Sequence, residues 1–266
     1  MRHPFLPIAT VAMLLVPATV MAQAPSAAIR AAVAGPARPP VNVLRDRYRH
    51  PAQTLAFFGV KPTDTIVEFS PAGGWYTEIL GPLTSGKGRY IALVGSPKGT
   101  EAATKLLDGK RAAVGPRASV ATLDAAAGTS TVPANSADVV LTFRNIHNLT
   151  MGGGATAAGA FKAWFAMLKP GGTLGIVEHR LPAARPVADE KTSGYLKHAT
   201  VVALAQAAGF RLAGESAVNA NPKDKADYPQ GVWTLPPVLR AGETDRARYL
   251  AIGESDRMTL KFVKPR

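Results

Sequence analysis

Two histidines stand just past short apolar runs, His147 in Arg144-Asn145-Ile146-His147-Asn148 and His179 in Glu178-His179-Arg180. An imidazole titrates near neutrality and can take a proton from a nucleophile, so His147 is the leading general-base candidate. Arg144 and Asn145 beside it can orient an acceptor or hold an anion. The same positions admit a second chemistry. His147, His179 and Glu178 offer nitrogen and oxygen donors to a metal ion, although they lack a compact His-x-x-x-His spacing. The plain alternative is a loop hydrogen-bonded to itself. His198 lies beside an expected helix and reads as structural. There is no cysteine, no phosphate-binding Gly-x-x-x-x-Gly-Lys loop and no Gly-x-Ser-x-Gly elbow. Disulfides, thiolate metal sites, a lipoprotein anchor and those nucleophile classes are thereby excluded.

These residues need elements to position them. Thr65-Ile-Val-Glu-Phe69 is an apolar run with one acid, Ser70 to Gly74 breaks it, and Tyr76-Thr-Glu-Ile-Leu80 resumes at helical spacing. Strand, tight turn and helix make the first unit of a doubly wound α/β sheet, where ligands sit beyond the carboxyl ends of the strands, against the helix N-terminus. Gly73 and Gly74 would admit a ligand close to the backbone, and Glu68 could accept hydrogen bonds from it. Further strands are expected at 89–94, 119–123 (a weak one), 136–143, 173–178, 210–215 and 258–263, with helices at 51–58, 101–107, 155–168 and 200–208 between them. Alternating strands and helices imply a mostly parallel sheet covered on both faces. The fourth and fifth strands should be parallel neighbours, which would bring His147 and His179 to one rim. Trp164 and Phe165 fall on the apolar face of a helix and are expected in the core.

The residues also carry a resemblance. Class I S-adenosylmethionine-dependent methyltransferases place an acid and three alternate glycines after their first strand. Glu68, Ser70, Ala72 and Gly74 fall on those four positions, with glycine only at the last. Leu168-Lys-Pro-Gly-Gly-x-Leu174 is also similar to that class. Pro71-Ala-Gly-Gly-Trp-Tyr-Thr-Glu-Ile-Leu80, Thr142-Phe-Arg-Asn-Ile-His-Asn148 and Leu260-Lys-Phe-Val-Lys-Pro265 look like a narrower group of exported, predicted methyltransferases. The resemblance implies a Rossmann-like α/β sheet whose last strand runs antiparallel, and S-adenosylmethionine as cofactor across the ends of the early strands. It further implies cofactor contacts at Glu68, Ser70, Ala72, Gly73, Gly74, Tyr76, Asp124 and Asn145, while the strand-end placement makes His147, Arg144 and His179 the candidate catalytic residues. One departure stands out: the acid that usually ends the second strand and holds the ribose hydroxyls is replaced by Val94 or Gly95. A missing bidentate acceptor costs on the order of 1–3 kcal/mol.

The remaining sequence bounds where and on what such a protein acts. Arg2 and His3, the apolar run Phe5 to Val20 and Val20-Met21-Ala22 read as a signal peptide over residues 1–22, leaving no stable membrane anchor and a periplasmic or secreted product. Residues 23–50 form an Ala/Pro-rich N-terminal segment, of which 23–42 reads as a linker with room for a short helix at its end, and 51–266 form the methyltransferase-like domain. Its polar, Pro-rich insertion at about 217–256 is long enough to cover the site, with Trp233 a candidate for its mouth. The net charge of +13 favours anionic partners, yet the basic residues are scattered. The one dense cluster, Arg45 to His50, reads as a solvated helix face, and no nucleic-acid motif accompanies it. Three functions remain open: an exported methyltransferase with a small-molecule or envelope-associated acceptor, a repurposed ligand-binding protein on the same scaffold, and a metal-dependent enzyme at the His147/His179 rim.

Overall fold

The computed structural model describes residues 24–151 and 154–266, so the signal-peptide reading lies outside the described residues. Strands β1 (Thr65–Phe69), β2 (Arg89–Val94), β3 (Ser119–Asp124), β4 (Thr129–Ser130), β5 (Ala137–Phe143), β6 (Leu168–His179), β7 (Arg211–Ser216) and β8 (Arg257–Val263) form one sheet in the order β4-β3-β2-β1-β5-β6-β8-β7. β3, β2, β1, β5 and β6 are mutually parallel, and β8 runs antiparallel to both β6 and β7. The expected mostly parallel sheet with a reversed final strand is present. The short β4, paired antiparallel to the tip of β3, has no counterpart in the sequence reading, because two residues carry no periodic signal. The strand expected at 173–178 starts earlier, so that Leu168 to Gly172 are drawn into β6, with a register shift between Ala137 and Val139 of β5.

Alternation along the buried strands feeds two cores. Val67, Phe69, Ile91 and Leu93 point toward one face, where Phe161 and Trp164 of the helix Gly154–Met167 pack with them. Ile66, Tyr90, Ala92 and Leu141 point toward the other, against the helices Pro51–Phe58 and Thr77–Thr84. Burial on both faces explains why these strands read as unbroken apolar runs. Helices thus cover both sides of the sheet.

The linker reading of the N-terminal segment is corrected. Ser26 caps the helix Ala27–Val33, accepting from the Ile29 amide at 3.2 Å, and Ile29 and Ala32 are buried in the second core. Three-residue spacing of Ile29 and Ala32 gives this short helix an apolar stripe that the Ala-rich composition conceals. Downstream, buried Arg38 pairs with Asp46 at 2.7 Å, and Trp75 Nε1 donates to the Asn42 carbonyl at 2.9 Å. The solvated-face reading of the arginine cluster is corrected as well: Arg47 is exposed, but Arg49 is buried and Arg45 half-buried. Among the described residues, no helix is long and apolar enough to cross a membrane.

Candidate functional site

The carboxyl edge of the sheet opens into a cavity of about 230 Å³ that is partly open to solvent. Its first wall is the loop after β1. Ser70, Ala72 and Gly74 have φ values of 52°, 50° and 81°. The backbone is therefore left-handed at each of the three alternate positions, although only one is glycine. Left-handed non-glycine residues cost on the order of 1–2 kcal/mol each and persist where their surroundings hold them. Here the Ser70 amide donates to the Leu93 carbonyl at 2.8 Å, and Asn145 Nδ2 reaches the carbonyls of Phe69, Ser70 and Phe143 at 3.1–3.3 Å. Asn145 thus clasps the ends of β1 and β5 together.

Of the loop residues, Ser70, Pro71 and Ala72 line the cavity. Gly73 and Gly74 do not. A Cβ on Gly73 would meet nothing within 4 Å, whereas one on Gly74 would lie 2.7 Å from Leu106 Cδ1. Gly74 lets the helix Pro97–Gly109 approach the loop. Glu68 lines the cavity from the end of β1. Tyr90 Oη donates to its Oε2 at 2.6 Å, and Oε1 has no hydrogen-bond partner among the described residues. Burial pushes this carboxyl up to about 7, against the opposing pull of the Tyr90 and Thr77 hydroxyls. Tyr76 lies flat on Phe143, with ring centroids 3.5 Å apart, and both rings border the cavity.

The second wall comes from β5 and β6. His147 and His179 face each other with ring centroids 5.2 Å apart. Glu178, fully buried, accepts four N–H groups: His147 Nδ1 at 2.9 Å and the His179 amide at 2.8 Å on Oε1, the Ile146 amide at 2.7 Å and the His147 amide at 3.4 Å on Oε2. This fixes the tautomer of His147 with Nδ1–H toward the carboxylate, leaving Nε2 as a proton acceptor. His179 Nδ1 is 2.5 Å from Ser255 Oγ, and burial holds the His179 ring well below its ordinary value, aided by His147 and Arg144. The ring is neutral at physiological pH. His147, Glu178 and His179 place one potential ligand atom each within 4.8 Å of one another. A carboxylate already saturated by four donors, with arginines nearby, fits a positioning group for His147 better than a metal ligand.

The third wall combines the segment expected to cover the site with an acid–arginine cluster that sequence reasoning missed. Glu254, just before β8, meets Arg45 at 2.7 Å, Arg49 at 3.0 Å and Arg257 at 3.1 Å. The surrounding guanidiniums hold it down to about 2, although burial alone would raise it. Trp233, Leu235, Pro236 and Val238 from the 217–256 segment close over this side, Trp233 edge-on to His147 at 6.0 Å. Asp124 stands apart. It is exposed, accepts from the Ala127 amide at 2.9 Å and lines a neighbouring cleft past β2 and β3 with Gly95, Ser96, Thr100 and Thr122. Among the described residues that cleft holds no other carboxylate, and Val94 packs in the core. His198 pairs with Glu215 at 2.9 Å on the surface, away from the site.

No family model and no curated protein sequence matches the chain. Solved structures do. A SAM-dependent methyltransferase from Aquifex aeolicus aligns over 82% of this chain and 92% of its own, with a TM-score of 0.56 at 15% identity. CrArsM, an arsenic(III) S-adenosylmethionine methyltransferase from Chlamydomonas reinhardtii, aligns over 91% of this chain and 75% of its own, with a TM-score of 0.53 at 14% identity. The [4+2]-cyclase SpnF aligns over 84% of this chain and 80% of its own, with a TM-score of 0.57 at 14% identity. Identity this low speaks to architecture, and together with the strand order it establishes that the chain has the fold of the class I S-adenosylmethionine-dependent methyltransferases.

Proposed function

We propose that the protein is an S-adenosylmethionine-dependent methyltransferase whose acceptor is deprotonated by His147. The observation that supports this most is the convergence of a left-handed Ser70/Ala72/Gly74 loop and a Glu178-held imidazole on one cavity. The residues fit the cofactor on the loop side, where Glu68 Oε1 is unpartnered and the backbone already has the form that alternate glycines would give. On the ribose side the hydroxyls of Ser96, Thr100 and Thr122 stand where a carboxylate is usual. When bound, S-adenosylmethionine supplies an electrophilic methyl group, which passes to the acceptor lone pair while the C–S electron pair stays on sulfur. His147 Nε2 takes the acceptor proton, and Glu178 keeps the ring in the tautomer that can do so. Arg144 and Asn145 orient the acceptor beside it, and Trp233 and Leu235 exclude water. The protein acts after export on a small-molecule or envelope-associated acceptor; intact Met1 on protein recovered from the cytoplasm would rule the export out.

Calorimetry with S-adenosylmethionine and S-adenosylhomocysteine tests the reading directly. A folded protein that gives no heat with either is not a methyltransferase of this class. If transfer is found with an acceptor, His147→Ala is expected to slow it about 10²–10⁴-fold with S-adenosylhomocysteine affinity within twofold of the parent. The absence of a carboxylate after β2, on a fold that also serves a [4+2]-cyclase, supports a second reading in which the scaffold binds an adenosyl-like or anionic ligand without methyl transfer. Binding of S-adenosylhomocysteine without transfer to any acceptor in a screen would favour it.

A further inference from the structure

The cavity gathers more positive charge than its own acids neutralise. Arg45, Arg49, Arg144 and Arg257 converge on it or on its floor, against Glu254, Glu178 and, only above about pH 7, Glu68. Arg257 is fully used: Nε donates to the Ser255 carbonyl, Nη1 to Glu254 and Nη2 to the Tyr48 carbonyl. Arg49 is not. Its Nε donates to Glu254 and its guanidinium lies 4.6 Å over Trp75, but Nη1 is buried with no hydrogen-bond partner. Arg144, one residue past β5 and held at a left-handed φ of 62°, also lines the cavity, and its guanidinium has no hydrogen-bond or ion-pair partner among the described residues. Burying a guanidinium N–H without a partner is unfavourable, and Arg49 Nη1 is so placed, while Arg144 is half-buried in the cavity wall. The cost is felt by the groups themselves: burial draws Arg49 down to about 9 and Arg144 to about 10. Glu254 offsets part of this for both, but among the described residues no side chain pairs with Arg49 Nη1 or with the Arg144 guanidinium.

We propose that Arg49 and Arg144 form a seat for an anionic group, and that the acceptor this protein methylates is an acid bearing a carboxylate or phosphate. The second half rests on the methyltransferase reading; the seat itself does not. Arg144 and His147 share one short segment after β5, so an anion held by Arg144 lies next to the proton-accepting Nε2. The aromatic border formed by Tyr76, Phe143 and Trp233 suits a planar body between the charge and the nucleophilic atom. Guanidinium–carboxylate and guanidinium–phosphate pairs are bidentate and strong in such surroundings. An anion could also arrive as the methionyl carboxylate of the donor, and the test separates the two sources.

Benzoate and phenyl phosphate, with benzyl alcohol as the uncharged control, are titrated into the free protein and into protein saturated with S-adenosylhomocysteine. The acids are expected to bind at least about tenfold more tightly than the alcohol, and to do so equally well in the saturated protein. Arg144→Gln, chosen because this guanidinium supports no other residue, is expected to weaken the acids about tenfold or more and leave S-adenosylhomocysteine affinity unchanged. Arg49→Lys reports on the second arm of the seat while keeping the charge beside Glu254. Equal affinity for acids and alcohol overturns the proposal. So does exclusion of the acids by S-adenosylhomocysteine together with loss of its affinity in Arg144→Gln, which would assign the arginines to the donor. Acid binding in a protein that never binds S-adenosylhomocysteine would keep the seat and remove the methyltransferase reading instead.

Discussion

Glu178 and Glu68 are both buried acids at strand ends, yet they differ in what surrounds them. Glu178 accepts four N–H groups, and its work is to orient His147. Glu68 accepts two hydroxyl hydrogens on one oxygen, and burial outweighs them, so its carboxyl is raised to about 7 from an ordinary 4.5. The stability that a neutral Glu68 gives is fully present below about 4.5 and is lost as pH rises through 7, because the unfolded chain ionises first. Glu68→Gln is expected to match the parent near pH 4 and to exceed it by on the order of 2–3 kcal/mol at pH 8. Urea unfolding of both proteins at pH 4, 6 and 8 checks this, and a constant difference across the series would show that Glu68 is ionised throughout. His147 and His179 were legible as partners because each follows a strand. Arg49 and Glu254 were not. They lie far apart in the chain, and an arginine in a run of charged residues looks solvated until the acid that draws it inward is located.

At the scale of elements, the loop after β1 has a left-handed backbone at three alternate positions although only the last of them is glycine. Gly74 is the one place where a side chain is barred twice, by φ and by Leu106. Gly74→Ala should therefore destabilise the fold by about 1–3 kcal/mol, while Gly73→Ala stays within about 0.5 kcal/mol of the parent. Leu106→Ala in the Gly74→Ala background should recover the steric part only, and chemical denaturation of the four proteins resolves the cycle. Equal effects at the two glycines would mean that the loop relaxes freely. The main strands were readable because burial on both sides writes an apolar run into the sequence. The Ala27–Val33 helix was not, since alanine serves a linker and a packed helix equally, and only Ile29 and Ala32 of it are buried.

For the molecule as a whole, residues 24–50 wrap the outside of the Thr77–Thr84 helix before delivering Arg45 and Arg49 to Glu254. Stability and site are coupled through this segment. Ile29→Ala is expected to cost about 2–4 kcal/mol, measured by urea unfolding; a loss below about 0.5 kcal/mol would make the helix peripheral. The reversal of β8 has a different kind of consequence. β7 ends and β8 begins on the carboxyl edge, so the 217–256 segment departs from and returns to the rim of the cavity without threading the sheet. Its length and composition can drift across generations while every strand keeps its neighbours. Selection acting on that one excursion can retune which molecules are admitted, leaving the inherited frame and the paired imidazoles untouched.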